Sequence, residues 1–407
     1  MLKSWLSGLL KIETKLGKYE SMIPYGRQDI NQTDIDAVVE VLRSDFLTQG
    51  PVVPLFEKTV ATYCEVQHAV AVNSATSALH IACLALDLGP DDWLWTSPIT
   101  FVASANCGLY CGAKVDFVDI DPKTYNLSVE ELEKKLIQAK QDNKLPKIVI
   151  PVHFSGQSCD MKKIHSLGQE YGFKIIEDAS HAIGGTYLDK KIGSCLFSNI
   201  TIFSFHPVKI ITTGEGGMAL TNDSKLAEQM NRLRSHGITR HPEEMQGQIE
   251  ESTWYYQQID LGFNYRMTDI QAALGLSQLS RLEEFVAKRH NLANRYNSIL
   301  KDIPITLPFQ NSYCYSSFHL YIIRIPKTEL FNRQDVFERL RHHGIGVNVH
   351  YIPVYRQPYY RKFYFDYSNF PEAESYYSQA ITIPLFPTLT EEQQDAVANV
   401  LTMTVGH

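Results

Sequence analysis

Two neighbouring stretches decide the fold: residues 204–209, SFHPVK, and residues 212–217, TTGEGG. Just upstream, the apolar side chains of residues 199–205 predict a short buried strand, and residues 218–220 predict another after the paired glycines. Lys209 therefore lies on a connection between two strands, where functional sites are commonly built. A lysine in such a place can anchor a cofactor covalently. A lone loop lysine is more often a solvated surface charge, so its companions decide the interpretation.

The first companion is the stretch 175–181, IIEDASH, an apolar strand that ends in the carboxylate of Asp178. An isolated aspartate at a strand end often only caps the following turn. It can also pair with a pyridinium nitrogen, which keeps that nitrogen protonated and lets the ring accept electrons. A lysine together with such an aspartate suggests pyridoxal 5′-phosphate as cofactor.

The second companion is the stretch 72–79, VNSATSAL, in which small hydroxyl residues lead into an apolar helical run. Free backbone N–H groups at a helix start, with hydroxyl groups beside them, form a site for a phosphate. The alternative is ordinary N-capping by Ser74 or Thr76, which needs no ligand. The three stretches together favour a pyridoxal phosphate site.

The rest of the pattern alternates strands with helices, which predicts an α/β fold with a mostly parallel sheet covered on both faces. Its ligand site is expected at the carboxyl ends of the strands.

Helices are predicted over 33–43 and 54–63, and strands over 69–72, 93–96, 115–118 and 147–152. One long helix is predicted over 268–300, opening with a capping box at Thr268 and Gln271. A smaller α+β part follows, with strands over 320–325 and 346–350 and helices over 333–343 and from Thr390. The predicted domains are an extension over 1–21, a large cofactor-binding domain with an N-terminal arm over 22–267, the bridging helix over 268–300 and a small domain over 301–407.

Composition limits the possible partners and compartment. The 407 residues carry a formal net charge of −7 with no run of basic residues, so neither nucleic acid nor an anionic membrane is an expected partner. Seven cysteines without a CxxC pair fit a reducing cytoplasm. Cys107 and Cys111 could ligate a metal, but free thiols in apolar surroundings are favoured. Over residues 1–21, apolar side chains recur at near-helical spacing with lysines between them, as in an amphipathic interfacial helix. An upstream extension or a misassigned start is preferred as the explanation. No stretch is long enough to span a bilayer.

Four motifs occur in an order that closely resembles one family. They are residues 73–78 (NSATSA), 177–181 (EDASH), 203–209 (FSFHPVK) and 262–267 (GFNYRM). From about residue 23 to the C-terminus the chain resembles the DegT/DnrJ/EryC1/StrS sugar aminotransferases. The resemblance implies a fold-type I pyridoxal-phosphate enzyme. Residues 23–31 (IPYGRQDIN) and 44–50 (SDFLTQG) are most similar to the pseudaminic acid branch. That branch moves the amino group of L-glutamate to C4 of a UDP-linked 4-keto-6-deoxy-N-acetylhexosamine.

The resemblance also implies roles for individual residues around the cofactor. Lys209 is the covalent anchor and the proton carrier, and its amine must then have a pKa lowered by partial burial and a nearby positive charge. Asp178 pairs with the ring nitrogen, Phe101 stacks on the ring, and His181 lies near the ring oxygen, where many members carry glutamine instead. The remaining cofactor residues, which bind the phosphate, are Ala75, Thr76, Ser204 and Asn264. Because Asn264 is donated by the other subunit in the family, a homodimer with shared active sites is implied.

The substrate residues implied by the resemblance come from two parts of the chain. Tyr25, Phe46, Leu47 and Thr48 belong to the N-terminal arm, whereas His350 and Tyr351 belong to the small domain.

Several alternatives remain open at this point. The chain could aminate another nucleotide-linked 3-keto or 4-keto sugar, as a perosamine or viosamine synthase does. A C3-dehydrating relative carries histidine in place of the anchoring lysine, and Lys209 argues against it. A non-catalytic regulatory protein that binds pyridoxal phosphate is the alternative of another class.

Overall fold

The computed structural model describes residues 22–247, 252–329 and 331–405. The predicted extension over residues 1–21 lies outside this range. The helices are α1 Gln32–Arg43, α2 Val52–Cys64, α3 Ala75–Ala85, α4 Ala103–Tyr110, α5 Val129–Gln141, α6 Met161–Tyr171, α7 Ser224–Arg234, α8 Asp269–Leu279, α9 Leu282–Ile299, α10 Arg333–His342, α11 Pro371–Gln379 and α12 Glu391–Val405. In the described part of the chain, each helix is too short or too polar to cross a lipid bilayer.

A seven-stranded sheet forms the centre of the larger part of the molecule. Its strands are β1 His68–Val72, β2 Trp93–Thr96, β3 Lys114–Phe117, β4 Ile148–Ile150, β5 Lys174–Asp178, β8 Ile200–Ser204 and β9 Gly217–Thr221. They lie side by side in the order β1-β9-β8-β5-β4-β2-β3. Neighbours from β8 to β3 pair in parallel, whereas β9 runs antiparallel to both β1 and β8. The short strands β6 Thr186–Tyr187, β7 Lys190–Lys191 and β12 Cys314–Tyr315 form a second sheet, and β10 Ile238–Thr239 pairs with β11 Gln257–Gln258. The predicted α/β fold with a mostly parallel sheet is confirmed.

The antiparallel strand β9 brings the three predicted cofactor segments to one edge. Gly217, its first residue, pairs with Val72 at the end of β1 and with Ser204 at the end of β8. Asp178 ends β5, which lies next to β8. The carboxyl ends of β1, β5 and β8 therefore meet where the loop carrying Lys209 begins.

The apolar residues of the sheet and its covering helices form three buried clusters. They contain, for example, Val70 and Ile202 in the first, Phe56 and Phe203 in the second, and Val149 in the third. Since the central strand β4 is buried on both faces, its residues form a continuous apolar run. The edge strand β3 instead alternates buried with more exposed residues. This packing holds the strand ends, and the polar residues on them, in fixed positions.

The single long helix predicted over 268–300 is interrupted, and this prediction is wrong. Helix α8 ends at Leu279 and α9 begins at Leu282, with Arg281 in a non-helical conformation between them. The guanidinium of Arg281 lies 2.9 Å from Asp29 and 3.5 Å from Asp34, both in the N-terminal arm. These ion pairs hold the break. The predicted capping box of Thr268 and Gln271 is present at the start of α8.

The C-terminal part has its own apolar core and a two-stranded antiparallel sheet of β13 Tyr321–Arg324 and β14 Ala380–Ile383. The strand predicted over 346–350 is reduced to one bridge between Asn348 and Thr382. Its neighbouring backbone groups are used elsewhere, because the Gly346 N–H donates to Ile23 O and the Val349 N–H donates to the Asn348 side chain. The domain boundaries stay a prediction.

Candidate active site

Lys209 lies on a loop that folds back onto the end of β8. Its backbone N–H donates to the His206 carbonyl at 2.9 Å. The Phe205 carbonyl accepts from the Thr213 N–H at 3.0 Å and from the Thr212 hydroxyl at 2.9 Å. The return of the chain uses Gly214 at φ +81°, a conformation that glycine adopts without strain. The loop therefore holds a partly buried lysine at the sheet edge.

Burial lowers the pKa of the Lys209 amine to about 8, and the Asp178 carboxylate acts in the opposite direction. Desolvation disfavours the charged ammonium, so a substantial fraction of the amine is neutral near that pH. The lowered pKa and its cause, burial, agree with the sequence prediction. The positive charge that was also predicted is not among the causes, since the neighbouring charge is negative.

Asp178 is only 5% exposed, and its two carboxylate oxygens have separate donors. The Ser104 hydroxyl donates to Oδ2 at 2.7 Å, and the Ser180 N–H donates to Oδ1 at 3.1 Å. Hydrogen bonds to a charged acceptor are the stronger kind. The carboxylate is therefore held in one orientation while each oxygen keeps a free lone pair. Ser104 was not identified from the sequence.

The start of α3, at the same edge of the sheet, is the predicted binding site for a phosphate group. Ser74 is the N-cap and accepts from the Ser77 N–H at 3.1 Å, as the alternative interpretation predicted. The amides of Ala75 and Thr76 lie in the first turn, where backbone N–H groups lack a carbonyl partner within the helix. Capping and anion binding are therefore compatible here. Ser204, the last residue of β8, completes this edge.

Gly217 lies directly against this helix start. A Cβ atom on Gly217 would lie 2.4 Å from the Ala75 nitrogen and 2.5 Å from the Ser74 carbonyl carbon. Only glycine lets the strand and the helix start approach so closely. Gly217, the last glycine of the GEGG sequence, therefore has a positional role in the predicted phosphate site.

Phe101 lies on the loop before α4 with 58% of its surface exposed. Its ring centroid is 6.3 Å from that of Tyr351. An exposed aromatic face beside a polar pocket is available to a planar ligand. The position is compatible with the stacking role implied by the resemblance.

His181 is buried and contacts Tyr351, and its place near the ring oxygen of the cofactor stays a prediction. The Ser155 N–H donates to Nδ1 at 3.2 Å, so the ring hydrogen lies on Nε2. Nε2 lies 3.2 Å from the Tyr351 hydroxyl oxygen and donates to it. Burial, together with the charges of Lys209 and His350, holds the pKa of His181 well below its usual range. Its imidazole is therefore neutral.

Tyr25 and His350 bring the N-terminal arm to the same pocket. Their ring centroids are 5.4 Å apart, and His350 Nδ1 lies 2.8 Å from the Thr382 hydroxyl. Burial lowers the pKa of His350 to about 3 and raises that of Tyr351. Tyr25, His350 and Tyr351 therefore join His181 and Phe101 in one cluster beside Lys209.

Phe46, Leu47 and Thr48 lie in a different place, on the exposed side of the start of α8. Thr48 forms a bridge with Thr268, and the Leu47 carbonyl accepts from the Asp269 N–H at 3.0 Å. The buried Asp269 carboxylate accepts from three N–H groups that follow this loop, those of Gly50 at 2.7 Å, Val52 at 2.8 Å and Val53 at 3.0 Å. Sequence reasoning placed Asp269 only within a capping box and missed this anchoring role.

Asn264 is exposed and lies on a segment that passes the end of β1. Its carbonyl accepts from the Asn73 side-chain amide at 3.4 Å, and the Asn73 N–H donates to Tyr265 O at 2.8 Å. The segment thus borders the predicted phosphate site within its own chain. Donation of the Asn264 side chain to a second subunit stays a prediction.

A cavity of about 670 Å³ opens on the same flank, away from Lys209. It is lined in part by Gln49, Arg232, His236, Arg240 and Arg266. Gln49 follows the loop carrying Thr48, and Arg266 follows Asn264 by two residues. This cavity could not be predicted from the sequence, because its lining residues come from distant segments.

The residues at the sheet edge fit pyridoxal phosphate in their donor set. A partly buried amine, a fixed carboxylate, an exposed aromatic ring and a helix N-terminus with hydroxyl groups lie around one pocket. Because Gly217 has no side chain, the backbone amide of Ala75 stays uncovered, whereas a Cβ atom there would overlap it. Within the described residues, no group of three or more His, Cys, Asp or Glu side chains could hold a metal ion, and this includes the surroundings of Cys107 and Cys111.

Residues 28–402 match the model of the DegT/DnrJ/EryC1/StrS aminotransferase family. The spore coat polysaccharide biosynthesis protein SpsC of Bacillus subtilis is 37% identical, with 93% of this chain and 96% of SpsC covered. The UDP-4-amino-4,6-dideoxy-N-acetyl-beta-L-altrosamine transaminase of Campylobacter jejuni is 38% identical, with 89% of this chain and 92% of that protein covered.

Solved structures agree with the sequence matches. Helicobacter pylori PseC, an aminotransferase of pseudaminic acid biosynthesis, superposes with a TM-score of 0.85 at 32% identity, covering 95% of this chain and 99% of that chain. The PLP form of the sugar aminotransferase Spr1654 from Streptococcus pneumoniae superposes with a TM-score of 0.84 at 29% identity, covering 94% and 98%.

Proposed function

The chain belongs to the DegT/DnrJ/EryC1/StrS aminotransferase family, whose members depend on pyridoxal phosphate, and we propose that it transfers the amino group of L-glutamate to C4 of a UDP-linked 4-keto-6-deoxy-N-acetylhexosamine. The products are 2-oxoglutarate and the 4-amino sugar. The observation that carries the proposal is Lys209, a partly buried amine with a pKa lowered to about 8, placed beside the fixed carboxylate of Asp178.

Lys209 has two roles in this proposal. It anchors the cofactor, which supplies an electron-accepting ring that stabilises negative charge at the carbon bearing the amino group. Once displaced by the amino donor, Lys209 takes the proton from the α-carbon of L-glutamate. In the second half of the reaction it delivers a proton to C4 of the sugar. Anchoring the cofactor and taking the proton need the neutral amine, which burial favours. Delivery to C4 then uses the proton that the amine has picked up.

The other residues bind and orient. Asp178 holds the proton on the ring nitrogen, and Phe101 covers one face of the ring. The backbone and hydroxyl groups of Ala75, Thr76 and Ser204 hold the phosphate at the N-terminus of α3. His181 donates to Tyr351, and this hydrogen bond fixes the position of the Tyr351 hydroxyl.

A homodimer with shared active sites is part of the proposal. Leu261 is 81% exposed and Trp254 is 71% exposed, both on the segment that leads to Asn264. Large apolar side chains at such exposure are typical of surfaces that bind another protein chain. A second subunit seated there places Asn264 at the phosphate of its partner and Phe46, Leu47 and Thr48 at the shared substrate pocket.

The pseudaminic branch is proposed because the C. jejuni relative carries that activity in its name and matches almost the whole chain. SpsC matches with nearly the same identity, and this favours keeping a second candidate, an aminotransferase for another nucleotide-linked keto sugar such as a perosamine or viosamine synthase. The non-catalytic regulatory alternative has no specific support, since a lysine, an aspartate and a phosphate site all meet at one edge.

The proposal is tested with purified protein, pyridoxal phosphate, L-glutamate and a panel of UDP- and dTDP-linked keto sugars. Formation of 2-oxoglutarate and of the aminated sugar is followed by mass spectrometry and NMR, with Lys209→Ala as the control. A 4-amino product from the UDP-linked 4-keto-6-deoxy-N-acetylhexosamine alone supports the proposed substrate. Turnover of another sugar alone replaces the substrate and keeps the chemistry. No turnover of any sugar by a protein loaded with cofactor would favour the regulatory alternative.

A further inference from the structure

Two buried hydroxyl groups connect the segment carrying Phe101 to the carboxylate of Asp178. Ser104, in the first turn of α4, is 0% exposed, and its Oγ lies 2.7 Å from Asp178 Oδ2. Thr100, which precedes Phe101 and is also buried, places its Oγ1 2.8 Å from Ser104 Oγ. The two hydroxyl groups therefore form a short chain that ends on the carboxylate.

The direction of this chain follows from proton counting. An ionised carboxylate only accepts, so the Ser104 hydroxyl donates its single hydrogen to Asp178. The Thr100 hydroxyl must then be the donor in the contact between Thr100 and Ser104. Because a donor that itself accepts a hydrogen bond is polarised further, Thr100 strengthens the bond from Ser104 to Asp178.

We infer that Ser104 and Thr100 are positioning residues for the cofactor, acting through Asp178 and Phe101. The inference rests on the proposed function, in which Asp178 pairs with the ring nitrogen and Phe101 stacks on the ring. The two hydroxyl groups hold Oδ2 of Asp178 through Ser104, while the Ser180 N–H donates to Oδ1. The remaining lone pairs would then be available to the ring nitrogen. Since residues 100–104 also carry Phe101, one segment fixes both the ring's nitrogen partner and its stacking partner.

The expected size follows from the type of bond. A hydrogen bond to a charged group is among the stronger ones in proteins, and its loss corresponds to a change of about 10- to 100-fold in an equilibrium constant. Ser104→Ala removes the bond to Asp178. Thr100→Val keeps that bond and removes only its polarising donor, so its effect has the same direction and is smaller. Thr100→Ser retains the hydroxyl and restores wild-type behaviour.

The test measures the dissociation constant of pyridoxal phosphate for the apoprotein, by fluorescence titration, and the pH dependence of the absorption spectrum of the bound cofactor. Ser104→Ala is expected to weaken binding about 10-fold or more and to shift the spectral titration, because the ring nitrogen loses a fixed anionic partner. The matched control is Ser158→Ala, which removes another buried serine hydroxyl, one that donates to the Cys159 carbonyl away from Asp178. It is expected to leave both readouts unchanged. Thermal melts of each apoprotein establish folding, and Thr100→Val carries the test if Ser104→Ala does not fold.

Asp178→Asn distinguishes failure of the proposed role of Asp178 from failure of the positioning role of Ser104 and Thr100. If Asp178→Asn changes neither the affinity nor the spectrum, the proposed role of Asp178 itself fails. If Asp178→Asn changes both while Ser104→Ala and Thr100→Val behave as wild type, the positioning role is overturned and the proposed function stands. The account predicts that Ser104→Ala has little further effect in the Asp178→Asn background, because both substitutions act on one interaction.

Discussion

Gly217→Ala is the substitution whose effect can be worked most directly from the structure. A Cβ atom at Gly217 would lie 2.4 Å from the Ala75 nitrogen, 2.5 Å from the Ser74 carbonyl carbon and 2.7 Å from Ala75 Cα. Non-bonded carbon atoms are comfortable at about 3.5–4.0 Å. The start of α3 must therefore move by about 1 Å relative to β9, and the atoms that must move are backbone rather than flexible side chain.

Two consequences are expected from this movement. Inserting a methyl group into a packed site costs about 1–3 kcal/mol of unfolding free energy. The displaced amides of Ala75 and Thr76 also lose their aim at the phosphate, so pyridoxal phosphate binds about 10- to 100-fold more weakly, equivalent to about 1.4–2.8 kcal/mol. The protein remains folded but needs more cofactor for saturation.

Urea unfolding of the apoprotein measures the first consequence, and fluorescence titration with pyridoxal phosphate measures the second. Gly89→Ala is the matched control, because a Cβ atom there meets nothing within 4 Å and the residue is not at positive φ. Wild-type affinity for the cofactor in Gly217→Ala would refute the assignment of the phosphate to the start of α3. Loss of stability without loss of affinity would refute it equally.

Three further predictions concern other parts of the molecule. Asp269→Asn leaves one of the anchoring N–H groups facing an amide N–H₂, so it should lower the unfolding free energy in urea by about 1–3 kcal/mol; an unchanged midpoint would count against the anchoring role. Mixing Lys209→Ala with Asn264→Ala subunits should restore part of the activity through hybrid dimers, whereas no recovery despite demonstrated subunit exchange would exclude a shared site. Hydrogen bonds from Cys83 and His80 lower the pKa of Cys111 to about 6, whereas burial raises the pKa of Cys83. Cys111 should therefore be alkylated before Cys83 at neutral pH, because its thiolate is the reactive form and persists above its pKa. Equal labelling rates of the two cysteines in peptide mass maps would contradict this.

The sequence predicted those features that depend on residues close together in the chain. The strand before Lys209, the strand ending in Asp178 and the hydroxyl-rich start of α3 all follow from local apolar patterns and spacing. That they meet at one edge follows from the general behaviour of parallel sheets. The fold class and the cofactor were therefore accessible before any coordinates.

Features set by distant partners were not accessible in this way. The break between α8 and α9 depends on ion pairs from Arg281 to Asp29 and Asp34, which lie about 250 residues away in sequence. The neutral, Nε2-protonated state of His181 depends on a backbone donor at Ser155. A pattern of residue types contains neither relationship, so only the folded structure reveals them.

The central claim is that Lys209 is the cofactor anchor. Protein loaded with pyridoxal phosphate is reduced with borohydride, digested and mapped by mass spectrometry, with Lys209→Ala treated in parallel. The account predicts a single stable cofactor adduct on the peptide containing Lys209 and none in the variant. An adduct on another lysine, or an unmodified Lys209 in a protein that retains activity, would contradict it.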